Sequence, residues 1–335
     1  MTIGARKKAG PRPLQSAPKR GESSRLRRDL IDAIGDTPLV EVPGLSPNAS
    51  VRIFAKLEGH NPTGSVKDRV ARHLVLDAEK RGLLKPGQTI IEPTSGNTGI
   101  SLAMVARVRG YKMKAVMPAS VSPERVQLLE AFGAEVIFSA ADKGTNESIL
   151  VAQELVRGNP SWHMPYQYGN PANPQAHYET TAREIIRDLP DVDVFVAGLG
   201  TGGTLMGVGK RLREHNPDVK VVATAPHPDD VVQGLRSIEH GFIPPILDLD
   251  RLDARILIEL EEGLYLTKWL LDNAGIFVGE SSGAVAATAR KLAQKIVRVN
   301  IVCLFADSGW KYLSSGNYTK TYQEIKSELT GKIWW

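Results

Sequence analysis

The sequence predicts an α/β protein in which a parallel sheet carries helices on both faces. Two observations support that class. Short β-branched runs alternate along the chain with helical stretches, the order expected when parallel strands are joined by crossover helices. The chain has 335 residues, 42% hydrophobic and 24% charged, enough for about two ordinary globular domains with a sizeable core. No apolar run reaches membrane-spanning length, so no membrane partner is expected.

The elements follow in order. Residues 1–28 hold nine basic side chains against one acid, Glu22, a formal +8 within a whole-chain +5, which leaves the body near −3. They are rich in Gly, Pro and Ser and lack apolar periodicity, so a disordered basic N-terminal arm is expected. With the positive charge confined there, a nucleic-acid-binding domain loses most of its support. The arm keeps two open roles, a contact with polyphosphate or nucleic acid and an Arg/Ser-rich transit segment. No apolar h-region follows it, which argues against secretion. Strands are expected at "VRIFAKLE", "QTIIEP", "KAVMP", "AEVIFS", "DVFVAGLG", "VKVVATAP" and "NIVCLFAD", and helices over residues 66–81, 98–109, 122–132 and 146–157. The single cysteine, Cys303, falls in the last strand. It cannot form an intrachain disulfide and reads as a buried small hydrophobe, so a reducing, cytoplasmic setting is expected.

Open parallel sheets bind ligands beyond the carboxyl ends of their strands, and three turns there have unusual composition. "EPTSGNTGIS" (92–101) ends a strand and opens a helix, offering backbone N–H groups and short hydroxyls to an anion. "AGLGTGGTLMG" (197–207) places four glycines around Thr201 and Thr204, a backbone nest for a phosphate. No lysine follows those glycines, so it is not a P-loop, and its spacing is not that of a dinucleotide fingerprint. "GESSGAV" (279–285) is a third run of small residues before a helix. In "NPTGSVKDRVARH" (61–73), Lys67 follows a Gly-Ser turn at the mouth of a helix. The seven histidines show no metal-ligand spacing, so no metal is expected.

Taken with "IGDTPLV", "YQYGNPANP" and "ADSGWKYLS", these motifs resemble, in order and spacing, those of the fold-type II pyridoxal-phosphate enzymes, specifically the cysteine synthase branch of O-acetylserine and O-phosphoserine sulfhydrylases. The likeness runs from about Leu30 to the C-terminus. It implies two domains, each an open twisted mostly parallel sheet flanked by helices: a smaller mobile domain at 61–169, and a larger cofactor-binding domain from 29–60 and 170–335. It implies pyridoxal 5′-phosphate on Lys67, with Asn97 at the cofactor's 3′ oxygen, Gly200, Thr201, Gly202, Gly203 and Thr204 around its phosphate, and Ser281 at its ring nitrogen. Thr94, Ser95, Thr98 and Gln167 match the positions that bind the substrate's α-carboxylate. A lysine forms a Schiff base only as the neutral amine, which a desolvating cleft favours.

The reaction implied is β-replacement on an O-activated L-serine through an α-aminoacrylate, with sulfide or a thiocarboxylated carrier protein as sulfur donor. Small amino-acid substrates, a homodimer, and a sulfur-carrier protein or serine acetyltransferase are the implied partners. Arg236 stands where many acetylserine enzymes have a small residue, and a guanidinium there would fork onto a phosphate, favouring O-phosphoserine. Its plain alternative is an ion pair with Glu239 at helical spacing. Glu280 replaces an apolar residue before the serine turn, so its carboxylate either approaches the ring nitrogen or points to solvent. Trp334 and Trp335 are either a loosely packed end or an aromatic pair that docks into the cleft or an interface. Two other functions stay open: a related lyase such as a cystathionine β-synthase or serine/threonine dehydratase, and a non-catalytic protein that uses the basic arm.

Overall fold

The computed structural model describes residues 26–228, 230–239 and 241–330. All but the last three residues of the basic arm lie outside these, as do Trp334 and Trp335. In chain order the first half holds β1 (Leu39–Glu41), β2 (Val51–Leu57), α1 (Lys67–Lys80), β3 (Thr89–Pro93), α2 (Asn97–Arg109), β4 (Lys112–Pro118), α3 (Pro123–Ala131), β5 (Glu135–Ser139), α4 (Gly144–Gly158) and β6 (Trp162–His163). The second half holds α5 (Ala172–Ala176), α6 (Ala182–Asp188), β7 (Val194–Gly198), α7 (Gly203–His215), β8 (Lys220–Pro226), β9 (Ala254–Ile258), α8 (Leu260–Ala274), α9 (Glu280–Ala293), β10 (Val299–Phe305) and α10 (Tyr322–Thr330). Six strands form one sheet, in the order β1-β2-β10-β7-β8-β9, and four form another, β5-β4-β3-β6. Every neighbouring pair is parallel except β1 with β2. The α/β class is therefore the observed one.

The central strands read as continuous apolar runs because both their faces are buried. Along β7, Val194 and Val196 pack with Ile258, Leu266 and Ala284 under α8 and α9, while Phe195 and Ala197 turn to Leu205, Val208 and Leu212 of α7 on the other face. The smaller sheet is covered by α1 and α2 through Val75, Ile90, Ile100 and Met117, and by α4 through Ile91, Val116 and Ala152. Small residues set the close approach of α8 to α9: a Cβ on Gly283 would stand 2.2 Å from the Gly263 carbonyl oxygen. Cys303 is fully buried in β10, and burial pushes its thiol pKa up, so it packs as a hydrophobe. Among the described residues no helix is long and apolar enough to cross a membrane.

A buried charge cluster ties α1 to the larger sheet. The Arg69 guanidinium donates to Glu58 (Nε to Oε2, 2.7 Å) and forks onto Glu184 (Nη1 to Oε1, 2.6 Å; Nη2 to Oε2, 2.7 Å). Lys56 adds a 2.8 Å ion pair to Glu184. Burial alone would raise the Glu184 carboxyl, but the bonds and charges of Arg69 and then Lys56 outweigh it and hold the pKa down to about 2. A folded pKa below the ordinary 4.5 gives stability that is complete above that value and lost as pH falls toward 2. At ~1.4 kcal/mol per pH unit the shift corresponds to roughly 3 kcal/mol. The urea-unfolding free energy of wild type should therefore exceed that of Glu184→Gln by an amount that shrinks between about pH 6 and about pH 3. A difference that stays constant across that window would count against the assignment.

Candidate active site

Lys67 opens α1 beside the loop that follows β10. Asp68 holds the turn before it, its carboxylate accepting from the Thr63 backbone N–H (2.7 Å) and from the Thr63 hydroxyl. Val66 N–H donates to the Ala306 carbonyl (2.8 Å) and Ser308 N–H to the Gly64 carbonyl (3.1 Å), which fastens the turn to the larger sheet. The Lys67 side chain lines a cavity of about 480 Å³, with Asn97, Thr98, Gln167, Arg236 and Ser281 also on its wall. An adjoining pocket of about 40 Å³ is shared by Lys67, Gly200, Thr201, Gly202, Thr204 and Ser281. Burial pushes the Lys67 pKa down, against the pull of the Asp307 and Glu58 carboxylates. Lowering it enlarges the fraction of neutral, nucleophilic amine.

The glycine loop runs from the end of β7 to the start of α7. Gly202 sits at φ +87°, where a Cβ would also approach Leu247 Cβ to 3.0 Å. The Asn173 amide donates to the Thr201 hydroxyl (3.0 Å) and to the Gln167 carbonyl (2.9 Å). The Thr204 hydroxyl lies 3.2 Å from His177 Nε2. Gly203 lines neither pocket; it packs against Asn173, whose Oδ1 would be 2.1 Å from an added Cβ. The result is a concave backbone surface at a helix N-terminus, suited to an anion.

Across the cavity, the Thr94 hydroxyl oxygen accepts from the N–H groups of Gly96 (3.0 Å) and Gly99 (3.2 Å) and shapes the entry to α2. Ser95 is exposed at the mouth. The Thr98 hydroxyl donates to Gln167 Oε1 (2.7 Å), and Gln167 Nε2 donates to the Pro93 carbonyl (3.2 Å). Below them the buried Glu92 carboxylate accepts the Tyr166 and Gln167 N–H groups, each at 2.8 Å, and burial pushes its pKa up to about 8 despite those bonds. On the far wall Ser281 is the second residue of α9. Gly234, at φ +92°, leaves room beside it: a Cβ there would be 3.3 Å from Ser281 Oγ.

The structure corrects two expectations. The described residues of 227–246 form turns and bends without a helix, so the spacing between Arg236 and Glu239 has no helical meaning. Glu239 pairs instead with Arg255 (2.7 Å), while Arg236 turns into the cavity and donates to Asn146 Oδ1 (2.8 Å). Its guanidinium stacks over Tyr168 and Phe242, and it has no ion-pair partner among the described residues. Glu280 does not point to solvent. It is buried and accepts from Asn317 Nδ2 (3.1 Å); it lines neither cavity, and burial pushes its pKa up.

The motif "ADSGWKYLS" holds site residues that the sequence alone does not single out. The structure brings Asp307, Lys311 and Tyr312 of that motif to the base of Asn97, and places Arg125 beside Ser95, its Nη1 donating to the Ser95 carbonyl (3.1 Å). The available signal was a lysine and an aspartate just past a buried strand's carboxyl end.

The family profile of pyridoxal-phosphate-dependent enzymes matches residues 30–307. A probable cysteine synthase of Bacillus subtilis is 45% identical over 296 residues, 85% of this chain and 95% of that one. Cysteine synthase A of Escherichia coli is 41% identical over 320 residues, 90% and 98% of the two chains. Among solved structures, an O-ureido-L-serine synthase superposes with a TM-score of 0.83 at 39% identity, covering 88% of this chain and 96% of its own. A cysteine synthase from Entamoeba histolytica gives a TM-score of 0.83 at 34% identity, covering 96% and 100%.

Proposed function

This chain belongs to the pyridoxal-phosphate-dependent enzymes, and from that premise we propose that it makes cysteine by β-replacement on an O-activated L-serine. O-Phosphoserine is the favoured donor and O-acetylserine the next, with sulfide or a thiocarboxylated carrier protein supplying sulfur. The observation that carries the reading is the pair of adjoining cavities that Lys67, Ser281, Gly200 and Thr201 line together. The residues fit pyridoxal 5′-phosphate: the backbone cradle at Gly202 would be filled by a Cβ, and the Lys67 amine beside it is desolvated. The bound cofactor supplies an aldehyde for amines and a ring that accepts electron density released at the substrate's α-carbon.

Each residue's part follows from its donors. The 200–204 backbone and its threonine hydroxyls hold the cofactor phosphate, Asn97 its 3′ oxygen, and Ser281 its ring nitrogen. A hydroxyl at that nitrogen does not force its protonation as a carboxylate would. Thr94, Ser95, Thr98 and Gln167 hold the substrate's α-carboxylate at the start of α2. The neutral Lys67 amine takes the proton from the α-carbon as the β-substituent departs, and returns it to the same carbon after sulfur has added to the β-carbon. Residues 61–169 close over this site while 29–60 and 170–335 hold the cofactor, excluding water from the reaction. The Arg236 to Asn146 hydrogen bond spans the mouth between those two parts.

Arg236 carries the choice of leaving group. The cavity wall carries Arg125, Lys143 and Arg236 against Asp142 and Asp230, and the guanidinium of Arg236 offers a fork that suits an anionic substituent. Hydrogen bonds to a charged group contribute ~1.5–3 kcal/mol, so Arg236→Ala should lower kcat/KM for O-phosphoserine by about 10- to 100-fold and for O-acetylserine by less than about 3-fold. Parallel assays on the two esters decide it; equal losses return Arg236 to a purely structural role.

A further inference from the structure

The lysine that the proposed chemistry leaves unused is Lys311. It lies in the turn after β10, is fully buried, and finds a single acceptor among the described residues: its Nζ donates to Asn97 Oδ1 at 2.6 Å. From the other side Asn97 Nδ2 donates to Asp307 Oδ2 at 2.7 Å, and Tyr312 fixes that carboxylate with a 2.6 Å bond from its hydroxyl. Its Nζ also lies 5.1 Å from the centre of the Trp310 ring, but a buried ammonium with one hydrogen-bond acceptor is still costly, so its presence asks for a reason. The two ends of an amide are nearly the same shape, and nothing in Asn97 itself decides which end faces the ligand. An ammonium can only donate and a carboxylate can only accept. Between them they leave one orientation, with Oδ1 toward Lys311 and Nδ2 toward Asp307. Asp307 uses one of the two Nδ2 hydrogens, and among the described residues no acceptor takes the other. Asn97 lines the large cavity.

We propose that Lys311 is a positioning residue that, together with Asp307, locks the Asn97 amide so that its free N–H is presented to the cofactor's 3′ oxygen. The idea rests on the placement of Asn97 against the cofactor given above. The ammonium-to-amide-to-carboxylate chain also polarises the amide in one direction, strengthening the N–H as a donor. Burial, reinforced by Arg125 and Lys67, lowers the Lys311 pKa to about 8, against the pull of Asp307 and Asp68.

The test is a double-mutant cycle on cofactor affinity, read by titrating apoenzyme with pyridoxal phosphate and following the visible absorption of the bound cofactor. Asn97→Ala and Lys311→Met should each weaken binding by at least about tenfold, and the double variant should bind within about twofold of Asn97→Ala alone. Lys311→Arg, which keeps a donor-only cation, should recover most of the loss. Losses that multiply in the double variant would mean that Lys311 acts independently of Asn97, and the proposal falls. It falls likewise if Lys311→Met binds as wild type while Asn97→Ala does not, or if Lys311→Arg binds no better than Lys311→Met. If Asn97→Ala binds as tightly as wild type, the placement of Asn97 fails and takes this inference with it. Should Lys311→Met not fold, Lys311→Gln, whose amide can both donate and accept, takes its place in the cycle with the same thresholds.

Discussion

Lys67→Ala should abolish turnover and, with it, the visible absorption that the cofactor acquires when held by a lysine. The expected loss is large because one amine performs two tasks. It forms the covalent link to the cofactor, and it carries the α-proton in both directions, a transfer that alone contributes roughly 10²–10⁴-fold. No nearby group replaces it. The other cavity lysine, Lys143, precedes α4 on the opposite wall, and Lys311 is committed to Asn97. The fold should survive, because the turn before α1 is held by Asp68, Ser65 and backbone bonds and not by the Lys67 side chain. Circular dichroism, and thermal melting compared between the two apoenzymes, should thus match wild type while kcat falls below about 10⁻³ of its value. Turnover within tenfold of wild type would overturn the assignment of Lys67.

That lysine was legible in the sequence because local signals converge there: a Gly-Ser turn, a helix start, and three small-residue turns that a parallel sheet brings to one edge. The seven expected strands and four expected helices are all present, the strands marked by β-branched apolar runs and the helices by the longer stretches between them. Among the strands and the side-chain contacts, what escaped was short, at an edge or distant. β1 and β6 have three and two residues, too few to alternate, and β9 is a half-exposed edge strand. The Lys311 to Asn97 bond joins residues 214 positions apart. It exists because the last strand, β10, inserts between β2 and β7 at the centre of the larger sheet, and no window of sequence reports that crossover. Arg236 was misread in its plain alternative for the opposite reason: an i, i+3 spacing with Glu239 suggested a helix where proline and glycine on either side leave only turns and bends.

Arg69→Met should cost about 3–5 kcal/mol of unfolding free energy, the range found when one member of a buried ion cluster is removed and its partners remain. Arg69 is 1% exposed, and its fork is occupied by Glu58, Glu184 and the Thr37 hydroxyl. Methionine fills much of the volume but leaves the Glu58 carboxylate, itself fully buried, without its guanidinium. Lysine is no substitute, because a point charge cannot serve two carboxylates in a planar fork. The pH dependence separates charge from packing. Without Arg69, only Lys56 is left to oppose burial at Glu184 and its pKa rises, so on acidification the variant takes up this proton before the wild type, whose carboxyl is held at about 2, and the deficit of the variant should narrow as pH falls toward that value. A pure packing defect would keep the deficit constant with pH. Urea melts at neutral and acidic pH measure both quantities, and a neutral-pH loss under about 1 kcal/mol would show that the cluster contributes little. Because Arg69 lies two residues beyond Lys67 on the same helix, the variant should also bind pyridoxal phosphate more weakly, which ties the stability of α1 to the positioning of the reactive amine.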